Sequence, residues 1–326
     1  MQEDERNKPV LVVDIGGTKI AAAVADASGN LLGKSRGATP DSGDAAVLVD
    51  EVQRVSRLAL DAAGMPLDAV AALGISCAGI VNTRDGVIAY SPNVAALRRT
   101  PLRSLLQERF GKPVRLANDA TLAALGEWHF GLKRSVSDLV YVTVSTGIGG
   151  GIISGGVLQE GACGGAGEVG HMTIDVNGPA CPCGRNGCWE ALASGSALAE
   201  RTVAHLEAGD ASILGELCGG DLDKVDAQLV AVAARQGDRL AQEMIAATAF
   251  YVGVGLGNLI NIFNPSLILL GGGVTKIGEP ILGPAAKTAR ERAYVASACD
   301  VEIRAALLGD DSPLYGAALI ARERSV

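Results

Sequence analysis

The sequence is short of aromatic residues, of basic charge and of unbroken apolar runs, and each shortage excludes a class of function. Phe, Trp and Tyr make up 3% of the 326 residues, too few to line a stacking platform for single-stranded nucleic acid. Lys and Arg number 28 against 36 Asp and Glu, a net charge of −8. Non-specific nucleic-acid or anionic-membrane binding requires basic patches, so neither nucleic acid nor a membrane is expected as a partner. Residues 244–275 carry no charge, but Asn258, Asn261 and the Asn264-Pro265 pair break them. Their longest stretch without a polar residue is 249–257, well under the roughly 18 residues that a spanning helix needs. They read as a buried helix, an Asn-Pro stop and a short strand. The start Met1-Gln-Glu-Asp-Glu-Arg-Asn-Lys is polar and has no apolar h-region, so a secretory signal is not expected and the cytoplasm is the expected compartment. Seven cysteines, an odd number with three crowded at 181, 183 and 188, argue against a disulfide scaffold.

What the sequence has in excess is glycine, 43 of 326 residues, about 13% against an average near 7%. No Gly-X-Y period accounts for it. With 48% hydrophobic and 20% charged residues, the chain is neither disordered nor a charged helical rod. At roughly 150 residues per domain its length suggests two domains.

Strand and helix patterns alternate, as in an α/β protein. Val10-Leu-Val-Val-Asp14 predicts a strand, Gly16-Gly17 a turn, residues 20–24 a return strand, and Ser28-Gly29-Asn30 a turn into a third. A helix is predicted over 45–63, strands over 70–76 and 113–116, and a helix over 120–130. The opening then repeats in part. Leu139-Val-Tyr-Val-Thr-Val144 is a strand, Ser145-Thr-Gly-Ile-Gly-Gly-Gly151 a glycine turn, and 152–154 a return strand. A third strand-to-glycine junction is Ser266-Leu-Ile-Leu-Leu-Gly-Gly-Gly273. The repeat predicts a smaller α/β domain over 1–117 and a larger one over 118–307.

Glycine directly after a strand lets backbone N–H groups approach a phosphate, because no Cβ intervenes. Asp14-Ile-Gly-Gly-Thr-Lys19 adds a carboxylate able to hold Mg²⁺ through water, a hydroxyl and an ammonium. A tight hairpin with a solvated Lys is the alternative, and the second glycine turn at 145–151 favours phosphate. Two tempting motifs fail. Gly29-Asn-Leu-Leu-Gly33-Lys34-Ser35 is one residue short of a phosphate-binding P-loop. Gly74-Ile-Ser76-Cys-Ala-Gly79 has one residue too many for a nucleophile elbow, which leaves Ser76 a structural residue. Gly147-x-Gly149 opens into a strand, so it is no dinucleotide fingerprint.

His171, Cys181, Cys183 and Cys188 lie within 18 residues and form a Cys₃His set, the closed tetrahedral type that holds structural Zn²⁺. Cys77, Cys163 and Cys299 read as unligated thiols. Asn118-Asp119 follows a strand and opens a helix, where one of the two caps and the other is free. Glu168 precedes His171 by three residues, and Glu190 follows Cys188. Acidic and amide groups beside phosphate turns suit a polyhydroxyl substrate with one carboxylate as general base.

Taken together, Asp14-Ile-Gly-Gly-Thr-Lys19, Asn118-Asp119, residues 145–151, Glu168-Val-Gly-His171, Cys181-Pro-Cys-Gly-Arg-Asn-Gly-Cys188-Trp-Glu190 and Gly309-Asp-Asp-Ser-Pro-Leu-Tyr-Gly-Ala-Ala318 resemble the ROK family of sugar kinases and repressors. Within it they most resemble bacterial glucokinases. The resemblance implies a two-domain actin-like ATPase (ribonuclease H-like) fold with a cleft, and a C-terminal helix over 308–326 that returns to the first domain. It implies ATP and Mg²⁺ held by Asp14, Gly16, Gly17, Thr18, Lys19, Thr146 and Gly147, with Gly271, Gly272 and Gly273 beside the adenosine. It places the sugar against Asn93, Asn118, Asp119, Glu168, His171 and Glu190, with His171 shared between sugar and zinc. Asp119 would take the proton of the 6-hydroxyl as it attacks the γ-phosphoryl group.

The implied activity is ATP-dependent phosphorylation of glucose. One alternative is a kinase for N-acetylmannosamine, N-acetylglucosamine, mannose, allose or fructose. Another is a sugar-responsive transcription repressor; those relatives carry an N-terminal helix-turn-helix domain, whereas nine residues precede the first strand here. A homodimer or homotetramer is expected from the family. Fifteen of the 43 glycines fall within 145–195, at the second phosphate turn and around the metal loop.

Overall fold

The computed structural model describes residues 7–91, 93–162, 164–294 and 301–323; Cys163 and Cys299 lie outside them. Contacts divide the chain into two compact units. One comprises Met1–Ser135, Gly151–Gly167 and Asp310–Val326, the other Val136–Gly150 and Glu168–Gly309.

The first unit opens with strands β1 (Val10–Ile15), β2 (Lys19–Ala25) and β3 (Leu31–Ala38), then helix α1 (Ala45–Ala62) and strand β4 (Leu73–Cys77). A short hairpin, β5 (Ile80–Asn82) and β6 (Val87–Tyr90), leads to α2 (Leu102–Phe110), β7 (Val114–Asn118) and α3 (Asp119–Gly126). The sheet runs β3-β2-β1-β4-β7, with β1 antiparallel to β2 and parallel to β4, and β4 parallel to β7. A parallel centre is covered on both faces, so β4 is buried throughout and β1 is apolar until Asp14. α1 begins where Asp44 accepts a hydrogen bond from the Ala46 N–H, a side-chain N-cap.

The second sheet has the order β10-β9-β8-β11-β12, which repeats that of the first. Its strands are β8 (Leu139–Val144), β9 (Ile148–Ser154), β10 (Val157–Leu158), β11 (Leu267–Gly271) and β12 (Glu302–Ala305). The intervening helices are α4 (Trp189–Ala193), α5 (Gly195–Glu207), α6 (Leu214–Leu217), α7 (Ala227–Arg235), α8 (Arg239–Phe263) and, before β12, α9 (Glu279–Arg292). The return strand begins at Ile148, earlier than the glycine pattern predicts. Gly149, Gly150 and Gly151 are therefore strand residues, and only 145–147 make the turn. At Gly151 a Cβ would lie 2.4 Å from Ala124 Cβ and 2.8 Å from the Ala120 carbonyl, so that glycine admits α3 to the strand.

The long uncharged segment lies mostly in α8, the one described helix long and apolar enough by length and composition to cross a membrane. Here it is the central helix of the second unit's core, with Leu256, Leu259 and Ile260 fully buried. Asp238 caps its start through the Ala241 N–H, and Asn264 ends it in the left-handed conformation at φ 43°, ahead of Pro265.

The last helix, α10 (Ser312–Ala321), packs on β4, β1 and α3 of the first unit. The approach is close enough that a Cβ at Gly316 would lie 1.9 Å from the Leu122 carbonyl. Because α3 packs on α10, the contact boundary falls after Ser135, beyond the change near residue 117 read from the repeat.

Candidate active site

The candidate residues fall into two groups, one in each unit. In the first unit three parallel strands end side by side. Asp14 on β1 is in register with Ser76 on β4, and Cys77 on β4 with Asn118 on β7. Ligands of α/β sheets sit at the carboxyl ends of such strands. Beyond Asp14 the chain turns at Gly16-Gly17-Thr18, closed by the Gly16 N–H donating to the Lys19 carbonyl at 3.0 Å. Asn93 is exposed, and its Cβ stands 2.9 Å from the place a Gly17 side chain would take. Asn93 and the first turn are thus neighbours.

The ambiguity at Asn118-Asp119 is resolved by hydrogen bonds. Asn118 is the cap: its Oδ1 accepts from the Thr121 N–H at 3.0 Å, and its Nδ2 donates to the Gly79 carbonyl at 3.0 Å. Asp119, the first residue of α3, accepts from the neighbouring Ala120 N–H at 2.9 Å. Burial raises its pKa above the ordinary carboxylate range, partly offset by hydrogen bonds from the Ala120 and Asp119 backbone and from the Asn118 side chain. Asp14 is pushed up to about 7, by burial first and then by the negative charges of Asp119 and Asp310. The Ser76 hydroxyl, donating to Asp14 at 2.5 Å, and the Lys19 ammonium oppose that rise. Lys19 Nζ lies 3.8 Å from Asp310. Carboxylates that resist joint ionisation are a group that a cation would stabilise, so Asp14 fits a magnesium ion held through water.

Two of these contributors escaped the sequence reading. Ser76, set aside as structural, is a direct partner of Asp14. Asp310 enters from the far end of the chain, and its only signal is the Gly309-Asp-Asp-Ser-Pro start of a helix.

In the second unit the turn at 145–147 closes with the Ser145 N–H donating to the Gly147 carbonyl at 2.8 Å. Gly272, at φ 91°, lies against the same strand end, where a Cβ would come 2.4 Å from the Val144 carbonyl. This joins the second and third glycine junctions. Glu190, in the first turn of α4, accepts the Ile148 N–H through Oε2 at 2.8 Å. His171 turns Nε2 toward Glu168 Oε2 at 4.0 Å and Nδ1 toward Cys181 Sγ at 3.8 Å. The structure therefore joins Glu190 to the 145–147 turn, and Glu168 to His171.

The donor atoms of His171, Cys181, Cys183 and Cys188 all lie within 4.8 Å of one another, and Cys183 and Cys188 are 3.6 Å apart, sulfur to sulfur. Tetrahedral zinc with Zn–S bonds of about 2.3 Å would set neighbouring sulfurs about 3.8 Å apart, so the set fits. Burial, then the neighbouring thiols, pushes Cys188 up to about 12; a cation would supply what three adjacent thiolates require. Backbone turns shape the loop, with Gly184 and Gly187 both at positive φ. Cys77 and Cys218 are buried free thiols.

A family model described as the ROK family matches residues 10–324. The glucokinase of Streptomyces coelicolor is 37% identical over 314 residues, covering 95% of this chain and 96% of that protein. The N-acetylmannosamine kinase of Shigella boydii is 36% identical over 318 residues, 96% of this chain and 98% of that one. Among solved structures, a ROK family glucokinase from Streptomyces griseus in complex with glucose and AMPPNP superimposes with a TM-score of 0.85. It is 37% identical and covers 96% of this chain and 99% of its own.

Proposed function

The chain belongs to the ROK family and has its two-domain actin-like ATPase fold, and on that premise we propose that it is a sugar kinase transferring the γ-phosphoryl group of ATP to the 6-hydroxyl of glucose. The observation that carries the reading is the division of labour at Asn118-Asp119. Asn118 meets the helix's need for a cap, which leaves the Asp119 carboxylate available to accept a proton. Its raised pKa brings it closer to neutrality, where a general base is most effective.

The remaining roles are those that the resemblance to the family implies. The turns at 16–18 and 145–147 offer backbone N–H groups to phosphate oxygens, and Lys19 adds a positive charge. Asp14 would hold magnesium through water, with Ser76 orienting its carboxylate. When bound there, magnesium would supply charge neutralisation to the phosphate oxygens. Asn93, Asn118, Glu168, His171 and Glu190 would bind the sugar hydroxyls, and Asp119 would remove the proton of the attacking one. Gly271, Gly272 and Gly273 would lie along the adenosine. His171, Cys181, Cys183 and Cys188 would hold zinc and fix the loop that carries two of the sugar groups. With the reading go the cytoplasm as compartment and a homodimer or homotetramer as the assembly.

Glucose rather than an N-acetylhexosamine is favoured by the glucokinases of similar sequence and by the glucose-bound structure. The test is a panel of glucose, N-acetylmannosamine, N-acetylglucosamine, mannose, allose and fructose with ATP in a coupled ADP-release assay. Glucose is expected to give the highest kcat/KM. Preference for another sugar moves the assignment to that kinase. Sugar binding with no ADP release moves it to the regulators.

A further inference from the structure

Glu190 does two things at once in the second unit. Its Oε2 accepts the Ile148 N–H at 2.8 Å. The same oxygen packs so tightly on the phosphate turn that a Cβ on Gly147 would lie 2.3 Å from it. Its Oε1 has no hydrogen-bond partner among the described residues. Other parts of the sugar-binding segments grip the same turn. The Gly195 N–H, just beyond α4, donates to the Ser145 carbonyl at 2.6 Å. Gly170, between Glu168 and His171, lies so close to β9 that a Cβ there would be 2.1 Å from the Ile148 carbonyl. The turn that would meet phosphate is therefore held at one end by Gly195 and at the other by Glu190 and Gly170.

We propose that Glu190 couples the sugar subsite to the phosphate turn, holding the turn through Oε2 while offering Oε1 to the sugar. The proposal rests on the kinase reading for the identity of the two ligands. A charge-assisted hydrogen bond to a backbone N–H is strong and directional, so a carboxylate drawn toward a sugar hydroxyl moves the amide that it holds. Coupling of this kind is reciprocal: whatever disturbs the turn must weaken sugar binding, and removal of the carboxylate must weaken nucleotide binding. A Glu190 that served only the sugar would leave nucleotide binding unchanged when its carboxylate is removed.

The experiment measures two affinities by calorimetry, each with a single ligand present. Gly147→Ala, whose Cβ would displace the Glu190 carboxylate from the turn and leave the other sugar groups in place, is titrated with glucose in the absence of nucleotide. Its Kd is expected to rise about fivefold or more, the lower end of typical coupling. Glu190→Ala, which leaves the Ile148 N–H unpaired, is titrated with AMPPNP and magnesium in the absence of sugar. Its Kd is expected to rise similarly, and Glu190→Gln, which retains an acceptor, to restore most of the affinity. Glucose binding unchanged in Gly147→Ala, or AMPPNP binding unchanged in Glu190→Ala, overturns the proposal. If Gly147→Ala does not fold, the Glu190→Ala and Glu190→Gln pair decides. Wild-type protein that phosphorylates no sugar of the panel defeats the kinase reading itself. Normal wild-type activity with the two affinities unmoved defeats only the coupling.

Discussion

The Ser76 hydroxyl donates a hydrogen bond to Asp14 Oδ1 at 2.5 Å across 62 positions of sequence, joining the ends of two parallel strands. The bond favours the ionised carboxylate and works against burial, which pushes Asp14 up to about 7. Ser76→Ala removes that support and raises the pKa further. If catalysis needs Asp14 ionised, the acidic limb of the kcat/KM profile moves to higher pH in the variant. A profile that stays in place refutes a limiting role for that ionisation.

The same carboxyl sets a stability difference. Asp14 loses its proton near 3.8 when unfolded and near 7 when folded. Between these values the folded chain holds more protons, so the contribution of Asp14 to stability falls as pH rises through that window and is least above 7. Asp14→Asn, measured without magnesium, is expected to be more stable than wild type at pH 8 by about 1–3 kcal/mol. The gap should close toward pH 4, and phosphorylation should fall by about 100-fold or more through loss of the magnesium ligand. Thermal melts across pH decide it, and a gap that does not vary with pH contradicts the shift.

Asp119→Asn keeps the shape of the side chain and removes its basicity. A positioned base contributes about 10²–10⁴-fold, so kcat should drop by that factor while the KM for sugar changes much less. Phosphorylation at the wild-type rate would remove Asp119 from the mechanism.

The four-ligand cluster predicts one zinc ion per chain by elemental analysis. Stripping it with a chelator should lower the melting temperature and abolish activity together, because ligand-held loops lose their fold with the metal. Proven metal loss with unchanged melting would show that the loop stands without it.

Much of the fold was legible because its signals are local. Val10-Leu-Val-Val is apolar on both faces of a strand, and the structure buries it on both. Asn264-Pro265 ends α8 as the sequence pattern predicts, and an uncharged stretch long enough to raise the question of a membrane is the central helix of a core. Where local signals were ambiguous, remote contacts chose. Asn118 and Asp119 are both good caps, and Asn118 takes the role with its amide also bonded to Gly79. Gly151 reads in the sequence as part of a turn, but it is a strand residue, and its missing side chain makes room for α3.

The sequence by itself determined the candidates for chemistry: the glycine junctions after strands, the Cys₃His loop and the Asn-Asp pair, all marked by short-range backbone geometry and ligand spacing. The glycine excess belongs there as well, concentrated where backbone must approach a ligand or another backbone. Only the tertiary structure decided the electrostatic state of Asp14 and the grip of Glu190 on Ile148. A shifted pKa depends on which distant charges are removed from water together, and Asp14, Ser76, Asp119 and Asp310 meet only when the strands and the last helix are assembled. Likewise the Glu190 carboxylate meets the Ile148 amide, 42 residues away, only once α4 is docked beside the turn.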